Sequence, residues 1–250
     1  MWKVKKPALA DAIADIDRMV ALGIIPSGEK AEMVKLVEQY DAQDGRVSDA
    51  QLAKISKATA DSVHKAYDSD KRYNKRKKFY DVRLELYGRV TLCPFCSMGH
   101  GNDTPDHYMH KDKYRSMAMC RLNLVPCCWQ CNGLKGVKSY TEFVHAYYAQ
   151  FPRNVPFFNA DISVVDSNVV FRFKADQNVL TPDLHFAVTK QIEHLQLDAR
   201  LQRRGVEFLR NVFPPDPIRP EALKISLKLQ YEKTKSEHKL NDWRTALLRG

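Results

Sequence analysis

Apolar positions recur at helical spacing along both ends of this chain and alternate only briefly between them. Over residues 7–22, Leu9, Ile13, Ile16 and Val20 fall at helical intervals, and Gly23 ends the run. A second helix is expected after Ser27, with Met33, Leu36, Val37 and Tyr40 on one face. Ser48 with Gln51 has the pattern of a capping box and predicts a third helix reaching about Tyr67. Helical spacing continues through Leu84, Leu86 and Tyr87, and Ser139 with Glu142 marks another start, carrying Phe143, Val144, Tyr147 and Tyr148. Residues 162–165 and 169–173 alternate as two short strands around Asp166-Ser167-Asn168, a hairpin signal. Thr181-Pro182 opens a helix predicted to reach Phe213, where Pro214, Pro215 and Pro217 break it. A last charged helix is expected from about Pro220 to Leu248.

Residues 90–140 follow neither period, and there the residue types carry the information. Cys93-Pro94-Phe95-Cys96 and Cys128-Trp129-Gln130-Cys131 are two Cys-x2-Cys pairs with 31 residues between Cys96 and Cys128. Four thiolates at knuckle spacing suit one tetrahedral structural zinc, closed to catalysis because its ligand set is full. Cys120 and Cys127 lack that spacing and read as small buried hydrophobes. Inside the loop lie Asp106-His107, in a segment able to form a strand, and Asn123-Leu124-Val125-Pro126, in a segment able to pair with it. A helix beginning near Trp129 would carry Asn132 and Lys135. Asp106 and Asn132 offer the hard oxygens that magnesium or manganese prefer, and an unligated His107 can take a proton from water at neutral pH. Taken singly these are bland residues: an Asp-His pair is often a surface pair, and an Asn before Gly is often a turn. Their order inside the cysteine loop is what gives them weight.

Charge agrees. Residues 71–140 hold 14 Lys and Arg against 5 Asp and Glu, whereas residues 1–70 hold 10 against 12. Six of the eight residues 71–78 are basic, with Tyr73, Phe79 and Tyr80 beside them. A solvated helix face is one reading of that run; contact with a phosphate backbone is the other. No apolar run approaches the ~18 residues of a membrane span, and residues 1–20 lack a signal-peptide core. A cytoplasmic protein with a polyanionic partner is expected, and in a reducing compartment paired cysteines favour metal over disulfides.

The motifs Cys-Pro-Phe-Cys, Asp106-His107, Asn123-Leu124 and Cys-x2-Cys-Asn-Gly-Leu-Lys resemble those of HNH endonucleases, members of the ββα-metal nuclease superfamily. The resemblance covers roughly residues 90–140. It implies a zinc-stapled ββα-metal (HNH) core, and with the helical N- and C-terminal regions that the periodicity predicts, the chain is expected to be α+β and mainly helical. The expected divisions are 1–70, a helical region able to dock a partner; 71–150, the zinc-bound nuclease domain with its basic lead-in helix; and 151–250, the hairpin and helical C-terminal region. The resemblance further implies His107 as general base, Asn123 as the residue orienting it, and Asp106 and Asn132 as ligands of one catalytic magnesium or manganese ion. Cys93, Cys96, Cys128 and Cys131 would hold one zinc. Lys135 would contact phosphate, with Lys111, Lys113, Arg115, Arg76 and Lys77 as further nucleic-acid contacts. Asn132 stands where the family name has His, and His110 stands where a proline is frequent. The implied substrate is DNA, with RNA the other polyanion the pattern admits. The layout is similar to HNH subunits of prokaryotic antiviral operons, such as the Septu type, which implies a protein partner of the ABC-class ATPase kind. The alternative is a zinc-stapled nucleic-acid-binding module without catalysis.

Overall fold

The computed structural model describes residues 3–72, 82, 85–86, 88, 90–98, 104–138, 140–166, 168–212, 220–238 and 241–249. Its architecture is α+β and mainly helical, with two separate two-stranded antiparallel sheets. Residues 2–149 form one compact unit and residues 150–250 the other.

In the first unit, α1 (Leu9–Ala21) packs on α2 (Lys30–Ala42) through Ile16, Met19, Met33, Leu36 and Val37, all buried. The capping box is present at Ser48 and Gln51, but the helix it opens, α3 (Asp49–Leu52), lasts one turn. The chain restarts as α4 (Lys57–Arg72), where the Ser56 hydroxyl caps the Thr59 amide and Ser56 itself bonds Glu29. A cap fixes where a helix begins, not how long it runs, which explains the difference from a single helix over 48–67.

The N-terminal helices belong to the unit that carries the cysteines. Asp15 of α1 receives two hydrogen bonds from Arg121, at 2.6 and 2.8 Å, and a third Arg121 nitrogen reaches Glu85 at 3.0 Å. β1 (Thr104–His107) pairs with β2 (Leu124–Cys127), Asp106 opposite Val125 and His107 opposite Leu124. Pro105 faces Pro126. Neither has an N–H to give, so this pair takes the non-hydrogen-bonded position of the ladder, and three residues on the Tyr108 amide bonds the Asn123 carbonyl at 2.9 Å. α5 (Trp129–Lys135) follows β2 directly. The helix expected from Ser139 is a single 3-10 turn, Tyr140–Glu142, leading into tight turns that bury Phe143, Val144, Tyr147 and Tyr148.

In the second unit, β3 (Phe158–Val165) and β4 (Asn168–Ala175) form the expected hairpin, longer than its alternation suggested. The helix expected over 181–213 is two: α6 (Pro182–His194) and α7 (Leu197–Val212), broken where Gln196 takes a φ of 51°. The last helix likewise divides into α8 (Pro220–His238) and α9 (Trp243–Arg249). α7 closes the outer edge of β4. Gln202 accepts from the Phe171 amide and donates to the Val169 carbonyl, and Asp198 accepts from the Phe173 amide at 2.7 Å. Gly205 permits that approach, because a Cβ there would meet the Phe171 ring at 2.6 Å.

Candidate metal and phosphate centre

The four knuckle cysteines come together as their spacing predicts. Cys93, Cys96, Cys128 and Cys131 are all buried, with their sulfur atoms within 4.8 Å of one another, so they could hold one metal ion. Backbone amides support the sulfurs: Cys128 N–H points at Cys93 Sγ and Cys131 N–H at Cys128 Sγ, each at 3.4 Å. Hydrogen bonds from Cys131, Cys93 and Cys96 push the Cys128 thiol strongly down, and the Cys96 and Cys131 thiols rise as the same bonds are shared. Ser97, with a φ of 53°, turns the first knuckle. Cys120 and Cys127 stay outside the cluster as buried thiols; Cys127 contacts the Thr104 carbonyl.

β1, β2 and α5 bring Asp106 and Lys135 together, while His107 and Asn123 face the loop between the strands. Asp106 is 3 % exposed and Lys135 only 1 %. The Lys135 ammonium lies 2.9 Å from Asp106 Oδ2 and 3.1 Å from Oδ1, and also donates to the His107 carbonyl at 2.6 Å. Burial raises the Asp106 carboxyl above its usual range, with the ammonium opposing that shift. Asp106 Oδ2 touches the ammonium outside hydrogen-bonding geometry and takes no hydrogen bond among the described residues. Asn132 is half-buried three residues before Lys135 and so shares its side of α5. Lys135 is therefore placed inside the core against Asp106, not on the surface.

His107 points the other way. Its Nε2 lies 2.9 Å from the Ala118 carbonyl, which must accept, so the proton is on Nε2 and the Nδ1 lone pair is left over. Asn123, fully buried, braces the same loop: its amide nitrogen donates to the Met109 and Met117 carbonyls, and its oxygen accepts from the Met109 amide at 2.8 Å.

Tyr67 of α4 carried no signal in the sequence beyond helical spacing, yet its ring packs edge-on to His107 with centroids 4.5 Å apart. The imidazole is left 8 % exposed. α4 also reaches the basic loop. Lys111 contacts Asp68 at 3.1 Å and Asp112 at 2.9 Å, and Arg115 pairs with Asp61. His64 sits on Asp112 at 2.8 Å, and His110 lies on the same carboxylate at 3.7 Å. Of the three basic loop residues, Lys113 is the exposed one without a carboxylate partner among the described residues. Arg76 and Lys77, with most of the basic run, lie outside the described residues.

Burial pushes His107 down to about 3, and it pushes His145 well below its ordinary value. A lowered histidine means that the unfolded chain takes up protons that the folded chain refuses, so stability falls as pH drops through about 6.5. Between pH 7.5 and 5.5 each histidine contributes a loss of about 1.4 kcal/mol, or about 3 kcal/mol together. Denaturant unfolding of the metal-loaded protein at those two pH values measures this; equal stabilities would contradict the burial of both rings as neutral groups.

No described helix is long and apolar enough to cross a membrane. Compared with models of known families, with curated proteins and with solved structures, the chain matches none.

Proposed function

We propose that the chain is a metal-dependent endonuclease of HNH type that hydrolyses phosphodiester bonds of DNA. One observation carries this reading. Asp106 and His107 lie on β1, Asn123 immediately precedes its partner strand β2, and Asn132 and Lys135 lie on the helix that follows, with four clustered cysteines at the two ends of this segment. In this reading the cysteines hold one zinc, which staples the segment before β1 to α5.

Magnesium or manganese would take the Asp106 carboxylate and the Asn132 amide as oxygen donors, and to do so it would have to displace the Lys135 ammonium, which lies 2.9 Å from Asp106 Oδ2. Asp106 and Asn132 would hold that ion, which when bound stabilises negative charge on the phosphate and the leaving oxygen. The remaining chemistry belongs to the chain. The Ala118 carbonyl holds His107 as the Nε2–H tautomer, so Nδ1 can accept a proton from the attacking water. Burial holds the ring far below its ordinary proton affinity, which makes it a weak base while covered, and access of water to the imidazole would restore its basicity. Lys135 fixes the β1 backbone through the His107 carbonyl and balances the Asp106 charge until a metal takes its place beside the carboxylate. Plasmid nicking that appears with magnesium or manganese and disappears with EDTA supports the proposal; DNA binding without nicking under any metal or partner condition overturns it.

The cover over His107 favours an enzyme with low basal activity. Tyr67 and the acidic face of α4 occupy the approach to the imidazole, so α4 has to move before a phosphate reaches it. An aromatic edge contact contributes about 0.5–1.5 kcal/mol. Tyr67→Ala is therefore expected to raise basal nicking roughly twofold to tenfold, measured on supercoiled plasmid; a fall would remove α4 as a cover. A docking partner, an ABC-class ATPase in an antiphage complex of the cytoplasm, is the source of control we propose. The same burial favours a second reading, a zinc-stapled nucleic-acid-binding module without catalysis. It predicts wild-type DNA affinity with Asp106 and His107 both replaced, and no hydrolysis in any partner's presence.

A further inference from the structure

Beneath Asn123 runs a file of buried polar groups whose hydrogen-bond directions are all determined. The Asn123 oxygen can only accept, and it lies 3.2 Å from the Tyr40 hydroxyl, so Tyr40 donates to it. With its one proton committed there, Tyr40 must accept from His145, whose Nε2 is 2.9 Å away. That places the His145 proton on Nε2 and leaves Nδ1 to accept, and the Tyr147 amide donates to Nδ1 at 3.4 Å. On the far side, the Asn123 amide nitrogen donates to Met109 and Met117, one residue before the Ala118 carbonyl that holds His107.

Tyr40 and Asn123 are fully buried and His145 is nearly so. The His145 ring is also walled in. Tyr108 and Tyr148 pack on it with centroids at 4.0 and 4.6 Å, and Gly45, at φ +86° in the turn after α2, comes so close that a Cβ would meet the ring at 2.3 Å. The ring cannot turn over to exchange its nitrogens without displacing those neighbours.

From this we infer that Tyr40 and His145 are positioning residues, which set the orientation of the Asn123 amide and through it the loop carbonyl that fixes the His107 tautomer. The inference rests on the nuclease reading for its catalytic meaning, while its geometric content stands apart from any activity. Tyr40 lies 83 residues from Asn123 in sequence, so the N-terminal helices supply part of the site.

Tyr40→Phe keeps the ring and removes the hydroxyl, and tests the inference. Ring-nitrogen spectra of the 15N-histidine-labelled full chain, loaded with zinc, should show His107 and His145 protonated on Nε2 in the wild type. In the variant the His107 signals should move toward a mixture of both tautomers, with kcat for nicking about tenfold lower and KM within twofold. His145→Gln, which keeps a donor toward Tyr40, should retain most activity, and His145→Leu should behave as Tyr40→Phe. If Tyr40→Phe does not fold, the contrast between His145→Gln and His145→Leu decides by the same readouts. Wild-type rings protonated on Nδ1, or unchanged His107 signals and kcat in the folded variants, would overturn the inference. A wild type that nicks nothing counts against the nuclease reading alone, since the spectra still decide the tautomers.

Discussion

Replacing His107 with alanine is expected to lower metal-dependent plasmid nicking by at least ~10^2-fold, the usual worth of a positioned general base. The magnitude follows from the ring's situation. Its Nε2–H is engaged by the Ala118 carbonyl, its other nitrogen is available, and uncovering the buried ring would raise its proton affinity toward that of an ordinary imidazole. No other described imidazole has those three properties in this loop: His110 is partly exposed beside Asp112, and His145 has both nitrogens engaged. The loss should fall on kcat and leave DNA affinity unchanged, because an imidazole 8 % exposed makes little contact with a bound duplex. The alanine also removes the partner of the Tyr67 ring, so His107→Gln, which fills the space better, serves as the companion variant. Nicking by both variants at the wild-type rate would sink His107 as the base.

The second large effect is on folding. Cys131→Ser is expected to abolish binding of one zinc per chain and to unfold much of the 2–149 unit. Structural zinc in small sites contributes roughly 10 kcal/mol or more, comparable with the whole stability of an ordinary domain. The strands between the knuckles pair over only four residues each. Cys120→Ser provides the contrast. That thiol is buried away from the cluster, so its replacement should retain zinc and lose only about 1–3 kcal/mol for a hydroxyl in an apolar setting. Metal analysis and circular dichroism on the two variants separate these outcomes, and a zinc-loaded, folded Cys131→Ser protein would rule out the four-cysteine site.

The cysteine cluster and the two paired strands were legible because their signals are local: two-residue spacing makes a knuckle, and short extended segments flank the loop. The element boundaries were less so. The capping box at Ser48 announced a helix that ends after one turn, and Gln196 breaks a helix that reads as continuous from Thr181. What the sequence withheld most is pairing at long range. Nothing near Lys111 or Arg115 reveals that Asp68 and Asp61, 43 and 54 residues upstream, meet their charge. Lys135 could be placed on a helix by its motif, but whether it faced solvent or Asp106 depended on how α5 lies against β1. Tyr40 reads as one more apolar-face residue of α2, and only the fold turns its hydroxyl toward Asn123.

The Arg121–Asp15 pair bears on any attempt to trim the protein. A fragment beginning at residue 90 would keep every motif of the cysteine loop and lose Asp15 and Glu85, the two carboxylates that meet a guanidinium buried in the full chain. Removing one partner of a buried ion pair costs about 3–5 kcal/mol, more than a 50-residue fragment has to spare. The smallest portable unit therefore starts near the first residues of α1, and the motif that identifies the site is much shorter than the chain needed to build it.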